Sequence, residues 1–600
     1  MNPGRGDRPA LRLCLLALLL ILPLAYWPAW DDCFPLAKWL VLAAFGGAAV
    51  VLGGVLSAPL KWVPWWTGWV AVSVFGAGVT GWRALPEAAL LVLPPLVACA
   101  AGAIEARKLA AALVVAGCLM AGWAALQFAG LEPGGWLSPF HKGVASTLGN
   151  PDLLGGALLL PFALALAGWA REPKRLASAA AAGLIGGGIV FTEARAAWLG
   201  AIVAAVAVLW RAPLRVRASA AVAAAFVFII VLASPGVAGR MGSGGALRER
   251  IWTWGLSLEA LWQHPIRGAG ASAFRTVYLA RQTAMHDRGA TFSHYTEYAH
   301  FEPLHFAVEL GVVGLGLWCW GLVAALRAWG SSPLRRTRPA VWAGTGAGAL
   351  AILADAGLSW PWHVAPTIVP AWIMVGACCP AAPDPAIRAG STARADGGGD
   401  PVTAAGGSGA RVTAYMVAAT VAGLAVLAVS FRLAYVSGSL RLGQALAVQG
   451  RFVEAGAVYD RAFRLRPGDV RLCWYAATAA RGRGEPGTAL GFVVRGLALE
   501  PDIAELRMEE AAIAKSRGDG AAAEAAYRAA LRVHPGQAQA WNNLGNILGS
   551  RGRLAEAASA QRRAVELAPD MKEARQNLAI TLIRLGRKAE ARRVLEGKEP

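Results

Sequence analysis

The sequence predicts an all-α protein in two parts: a polytopic bundle of about 12–13 membrane-spanning helices, then an α-solenoid of helical repeats in water. Two observations carry this. Apolar runs recur from Leu11 to Phe431, with hydrophobic residues at 56% of the chain and charged residues at 16%. Beyond those runs, three residue types recur at a spacing of 34.

Candidate spans lie at 11–27, 36–58, 64–82, 86–104, 109–130, 151–170, 176–192, 197–211, 218–236, 306–327, 339–358, 363–379 and 412–431. Each is near the ~20 residues that a bilayer core demands. Of 25 Trp, several sit at span ends, among them Trp27, Trp30, Trp62, Trp65, Trp66, Trp360 and Trp362, as interfacial belts do. The N-terminal MNPGRGDR and the run Leu11 to Tyr26 resemble a signal peptide. No small-x-small site follows, so the run is expected to be the first span.

Basic loops set the orientation. With the N-terminus inside, the inside loops hold Lys61, Arg107–Lys108, Arg171–Arg175, Arg211–Arg217 and Arg327–Arg338. The outside segments are then Asp31–Pro35, Arg83–Pro86, Leu131–Asn150, Thr192–Ala196, a long loop at 237–305 and Ser359–His363. The expected domains are a membrane unit at 1–380, a linker at 381–411 rich in Pro, Gly, Ala and Ser, a further span at 412–431 and a repeat domain at 437–600.

The repeat is read in three registers. Pro467, Pro501, Pro535 and Pro569 are each 34 apart, as are Gly450 to Gly586 and Ala455 to Ala591. Small residues let the two helices of a hairpin approach, and Pro ends each unit. Period and pattern resemble tetratricopeptide repeats. The likeness implies a solenoid that binds a protein partner of open identity.

The net charge of +20 sits largely in inside loops and on the repeats. No basic stripe interleaved with aromatics points to nucleic acid. The eight Cys form no CxxC pair and no Cys/His metal spacing. Neither a metal nor a cofactor is expected.

Ionisable residues inside a bilayer are costly, so their placement is informative. The deep parts of the spans hold almost none, which argues against an ion-coupled transporter. The exceptions gather at outside ends: Lys38, then Glu193 and Arg195 in FTEARAAWLG, Arg248 and Arg250 in ALRERIWTW, His300, His305 and Glu309 where the long loop meets the next span, and Asp355 and His363 around the next outside turn. Each has an ordinary reading. Arg195 could snorkel among headgroups, His300 could be a loop histidine, and His305 and Glu309 could pair along one helical face. Arg248 and Arg250 could begin a solvated helix. Lys38, Asp355 and His363 read more readily as structural. The case rests on convergence at one membrane surface.

Four segments in order resemble the O-antigen ligase and polymerase superfamily: GNPDLLGGALLLPFALAL at 149–166, FTEARAAWLG at 191–200, RERIWTWGLSLEALWQHPIRGAGASAF at 248–274 and AHFEPLHFAVELGVVGLGLW at 299–318. Glu193 and Ala194 stand where a polar residue and Ser are usual, Phe301 where Asn is usual and His305 where Gln is common. The resemblance covers about residues 11–380 and implies a glycosyltransferase of a bacterial inner membrane. Its donor would be a glycan on undecaprenyl diphosphate. Its acceptor would be a hydroxyl of lipid A–core, of a second lipid-linked glycan or of a protein. Arg195, Arg248 and Arg250 would grip the diphosphate, and His300 would take the acceptor proton. Glu309, His305 and Lys38 would support them. Arginines would replace a metal, and direct displacement would invert the anomeric centre. Ligase, polymerase and protein oligosaccharyltransferase stay open, as does a non-enzymatic membrane scaffold working through its repeats.

Overall fold

The computed structural model describes residues 9–25, 38, 41–46, 48–50, 62–76, 81–102, 104–131, 144, 146–148, 150–210, 212–221, 245–274, 277–278, 298–359, 363–379, 432, 435–501, 503–568 and 571–596. The linker 381–411, the span at 412–431, nearly all of 218–236, much of 36–58 and parts of the loop 237–305 lie outside these residues.

Among the described residues the fold is all-α. The membrane portion is built from α1 (Pro9–Leu24), α2 (Val63–Gly76), α3 (Gly81–Ala101), α4 (Ala106–Phe128), α5 (Pro151–Arg171), α6 (Leu176–Phe191), α7 (Arg195–Leu209), α8 (Gly245–Gln263), α9 (Glu302–Gly330), α10 (Pro339–Ala356) and α11 (Ala365–Cys378). All but α8 fall on apolar runs expected to span. Three of them, α4, α5 and α9, are long and apolar enough to cross a membrane by length and composition. The first apolar run folds as α1, with Leu11, Leu15, Leu18 and Leu22 buried in the shared core.

Small residues set the approach of the central helices. Gly344 and Gly348 of α10 back onto Leu164 and Leu160 of α5, and Gly200 of α7 lies under the Ala351 carbonyl. Such seams let helices pack by van der Waals contact where lipid offers no hydrophobic drive. They bring the N-terminus of α5, the N-terminus of α7 and the C-terminus of α10 to one end of the bundle. The opposite end holds the basic loops, where Arg338 reaches Glu105 at 3.8 Å.

One break matters for the site. Gly311 of α9 adopts φ 69° and ψ −175°, a left-handed conformation that favours glycine. The kink frees backbone groups, and four of them find partners outside the helix. The loop after α8 supplies three: the amides of Ala269 and Gly270 donate to the Val308 and Glu309 carbonyls, and the Val312 amide donates to the Pro265 carbonyl, all within 2.9 Å. The Trp69 indole donates to the Leu310 carbonyl at 2.9 Å. Buried backbone in an apolar setting must be paired in this way. Gly268 and Gly311 face each other so closely that a Cβ on either would strike the other strand of backbone.

The repeat domain is a series of helical hairpins: α12 (435–448) with α13 (Phe452–Leu465), α14 (Val470–Gly482) with α15 (Pro486–Leu499), α16 (Ala504–Ser516) with α17 (Gly520–Val533), α18 (Ala538–Ser550) with α19 (Leu554–Leu567), and α20 (Lys572–Arg584) with α21 (Lys588–Leu595). The three sequence registers now have physical roles. Gly450, Gly484, Gly518, Gly552 and Gly586 turn each hairpin at φ between 75° and 81°. Ala455, Ala489, Ala523, Ala557 and Ala591 are buried at the helix crossings. The residue before each repeat proline is extended, with φ from −143° to −135° at Arg466, Glu500, His534 and Ala568, as a following proline requires.

Candidate active site

Four segments distant in sequence supply the polar groups at the end of the bundle opposite the basic loops. The first is the start of α5. The Asn150 side chain accepts the Asp152 amide at 2.8 Å, and Pro151 occupies the first helical position. This cap fixes Asp152 in the first turn. The second is the turn into α7. The Thr192 hydroxyl donates to the Ile189 carbonyl at 2.6 Å and accepts the Ala194 amide at 3.1 Å, while the Trp198 indole also donates to Ile189. Glu193 sits at φ 57°. The turn is thereby set, and Arg195 begins α7 with an exposed side chain.

The third segment is α8. Arg250 lies within electrostatic reach of both Asp152 and Arg195. Burial, with the Arg195 charge adding to it and Asp152 opposing, holds the Arg250 guanidinium below its ordinary value. Two guanidiniums from separate segments therefore lie within electrostatic reach of each other, with the Asp152 carboxylate within reach of Arg250. Arg248 lies in the first turn of α8, and its side chain falls outside the described residues. One turn along α8, about 6 Å of rise from Arg250, the Trp254 indole donates to the Ala299 carbonyl at 3.0 Å.

The fourth segment is the approach to α9. The Ala299 amide donates to His305 Nδ1 at 3.4 Å. Both backbone groups of Ala299 are thus held by side chains. The next residue, His300, sits in the left-handed region at φ 55°. Such a conformation in a residue with a side chain is costly and persists where its surroundings enforce it. Phe301 packs against Trp254 with ring centroids 6.0 Å apart.

His305 and Glu309 lie beneath this loop. An Nδ1 that accepts leaves the His305 proton on Nε2, which faces Glu309 Oε1 at 3.5 Å. The same oxygen accepts the Phe274 amide at 3.1 Å. Glu309 therefore ties the end of the α8 loop to α9, and no described contact joins it to His300. Beside them His363 Nδ1 lies 3.2 Å from Glu302 Oε2, and the His305 and His363 rings meet edge to face at 4.4 Å. Donor atoms of His305, Glu309 and His363 all lie within 4.8 Å of one another, so this trio is where a cation could be held. The Ala299 amide and Glu302 already engage one ring nitrogen of each histidine.

Asp355, at the end of α10, lies within electrostatic reach of Asp152 and Glu302 and joins the two halves of the cluster. Gly156 leaves it room: a Cβ there would stand 3.3 Å from Asp355 Oδ2 and 3.5 Å from Thr367 Oγ1. Lys38 stands apart. Its ammonium donates to the Ala25 carbonyl at 2.5 Å and the Thr147 carbonyl at 2.8 Å, tying the end of α1 to the segment before α5.

The arrangement thus unites Arg195, Arg250, His300, His305 and Glu309 of the residues singled out in sequence. Sequence reasoning missed Asp152, Glu302, Trp254 and Thr367, and weighed Asp355 and His363 as structural. Asp152 had a signal, since it lies in the quoted GNPD segment at an outside end. Trp254 lies in the quoted 248–274 segment, but its partner, a carbonyl 45 residues away, carried no signal.

Comparison with known proteins bears on this geometry. Residues 179–319 match the family model for O-antigen ligase. That stretch runs from α6 into α9 and carries Arg195, Arg250, Trp254, His300, His305 and Glu309. The O-antigen ligase match supports glycosyl transfer of the ligase or polymerase kind. Tetratricopeptide repeat models match at 415–470, 508–572 and 550–597. Solved structures similar to the chain include the crystal structure of MamA protein, at 19% identity over 27% of this chain and 89% of that one, TM-score 0.24. Another is MamA 41-end from Desulfovibrio magneticus RS-1, at 18% identity over 27% and 92%, TM-score 0.25. A third is Pseudomonas aeruginosa pilF, at 16% identity over 28% and 76%, TM-score 0.26. Among curated proteins none matches the chain.

Proposed function

We propose that the protein transfers a glycan from undecaprenyl diphosphate to an acceptor hydroxyl at the periplasmic face of the inner membrane. The observation that carries this reading is the pairing of Arg250 with Arg195. Two like charges brought together at a partly buried site repel, and a multiply charged anion between them relieves the repulsion. A diphosphate suits two planar guanidinium forks, and a lipid anchor delivers it to the end of a bundle.

The reaction follows from the charges. The acceptor oxygen attacks the anomeric carbon from the face opposite the diphosphate, and the bond from that carbon to the phosphate oxygen breaks. The anomeric centre inverts. The acceptor proton passes to His300, an imidazole being a side chain suited to general-base work. The departing diphosphate carries the electron pair, and Arg195 and Arg250, with Arg248 beside them, stabilise its developing charge. No metal enters this scheme. Lipid A–core is the acceptor favoured by the ligase match. The repeats, on the same side once the span at 412–431 is crossed, would recruit the acceptor or a protein partner.

A deletion strain complemented with wild type, His300→Ala or Arg195→Ala tests this. The expected result is loss of one envelope polymer and accumulation of its lipid-linked donor with either variant. If both variants, expressed at normal level, restore the polymer, the reading is wrong. Free long chains beside unmodified acceptor support a ligase, whereas acceptor capped with a single repeat unit supports a polymerase. Full activity in both variants, with loss only on disrupting the repeats, supports the scaffold alternative.

A further inference from the structure

The helix that carries Arg250 and Trp254 shows an apolar face that none of the described residues covers. On α8, Thr253, Leu256, Ser257 and Ala260 are buried against the start of α9. On the opposite side Ile251, Leu258 and Trp262 are exposed, Trp262 at 87%, and Ile266 continues the line at 65%. Ile251, Leu258 and Trp262, seven and four apart, lie along one helical stripe, and Ile266 follows in the turn after Gln263. Glu259 and Gln263 flank that stripe and are exposed as well.

The height of this stripe follows from the backbone bonds at the kink. The Val312 amide donates to the Pro265 carbonyl, so Ile266 lies level with Val312 of α9. Counting up α9 from Arg327 in its last turn, about 20 residues cross the hydrocarbon core and reach residue ~307. Val312 is therefore below the outer boundary. It is itself exposed, and Trp320, Val323 and Leu326 extend the same outward apolar face down α9. Irregular backbone at that depth is tolerated only where its polar groups are paired within the protein, and the loop 265–270 meets that condition.

We infer that α8 slants down into the outer leaflet beside the start of α9, from Trp254 at Ala299 to Pro265 at Val312, so that the lower part of its stripe, Leu258–Trp262–Ile266, is immersed in the acyl chains. It continues the lipid-facing surface of α9 and carries a tryptophan at the depth where interfacial tryptophans sit. The placement holds Arg250 at headgroup level, where a diphosphate on a lipid lies. This inference rests on α9 crossing the membrane and not on the chemistry assigned to His300.

The test places p-benzoylphenylalanine at Trp262, at Leu258 as a second site, and at Glu259 as the control on the polar flank, each in the full chain in native membranes. After irradiation the adducts are identified by mass. Phospholipid acyl-chain adducts at 258 and 262, absent at 259, are expected. A crosslink from 262 and 258 to the repeat domain, to a second copy or to another protein overturns the inference, because a protein then covers the stripe. Recovery of both probes unmodified overturns it too, because the stripe then faces water. Acyl adducts in a chain that also carries His300→Ala separate this result from the catalytic reading.

Discussion

The two halves of the chain treat buried charge in opposite ways. In the repeats, ionised groups neutralise each other at short sequence range or between neighbouring hairpins. Glu524 meets Arg528 at 3.0 Å and Arg553 at 2.7 Å and also contacts Arg551. Glu509 meets Arg481 at 2.6 Å, 28 residues away. In the membrane bundle the charged residues come from four unrelated segments, two arginines lie within electrostatic reach of each other, and His300 and Glu193 sit at positive φ. The first pattern stabilises a solenoid. The second maintains strain and repulsion at one surface, which is what a site waiting for an anionic substrate requires.

Variants sharpen this contrast. The largest expected effect is from Arg250→Ala, which removes half of the cationic pair: glycan transfer falls about a hundred- to a thousandfold, read as turnover of purified protein in nanodiscs. Arg250→Lys, which keeps the charge and loses the fork, recovers part of it. An effect of similar size from neutralising Arg528, in the repeats, would erase the distinction between the two regions.

Next is Trp254→Phe. It removes the indole donor to Ala299 and leaves the ring packing near Phe301. A buried carbonyl loses its partner, at a cost of about 1–3 kcal/mol. We expect kcat to drop roughly tenfold at nearly unchanged KM, with the fold intact by hydrogen exchange, because Trp254 acts through His300. A rise in KM alone would mean that it contacts substrate instead.

The smallest effect is from Gly552→Ala. At φ 79°, a side chain costs about 1 kcal/mol. Hydrogen exchange in α18 and α19 should quicken by about fivefold, with transfer unchanged at permissive temperature. Unchanged exchange would show that the turn does not carry the hairpin.

How much of this was legible in sequence differs between the halves for the same reason. Repeat positions are defined by near neighbours, so Gly552, Ala557 and the proline register could be read from spacing alone. The apolar runs likewise match α1 and α4 to α7 within a few residues. The site was legible only as a gathering of outside ends. Its wiring depends on contacts of long sequence separation: Trp254 with Ala299, the loop 265–270 with the kink at Gly311, and Asp355 with Asp152 and Glu302. Glu309 read either as a support for the site or as the i, i+4 partner of His305; its carboxylate is engaged by the Phe274 amide and faces His305. Lys38 read more readily as structural than as a supporting cation, and its ammonium donates to two carbonyls. No period or motif encodes the Phe274 amide or those two carbonyls as partners.

The central claim is that the paired arginines and His300 together move a glycan off a lipid diphosphate. Its most direct test is transfer from a synthetic polyprenyl-diphosphate-linked glycan to purified acceptor by the full chain in nanodiscs, with donor and product followed together. Wild type should release polyprenyl diphosphate and product in equal amounts, His300→Ala should bind donor with no transfer, and Arg195→Ala with Arg250→Ala should lose donor binding. Undiminished transfer by His300→Ala, or undiminished donor binding by the double arginine variant, would contradict the account.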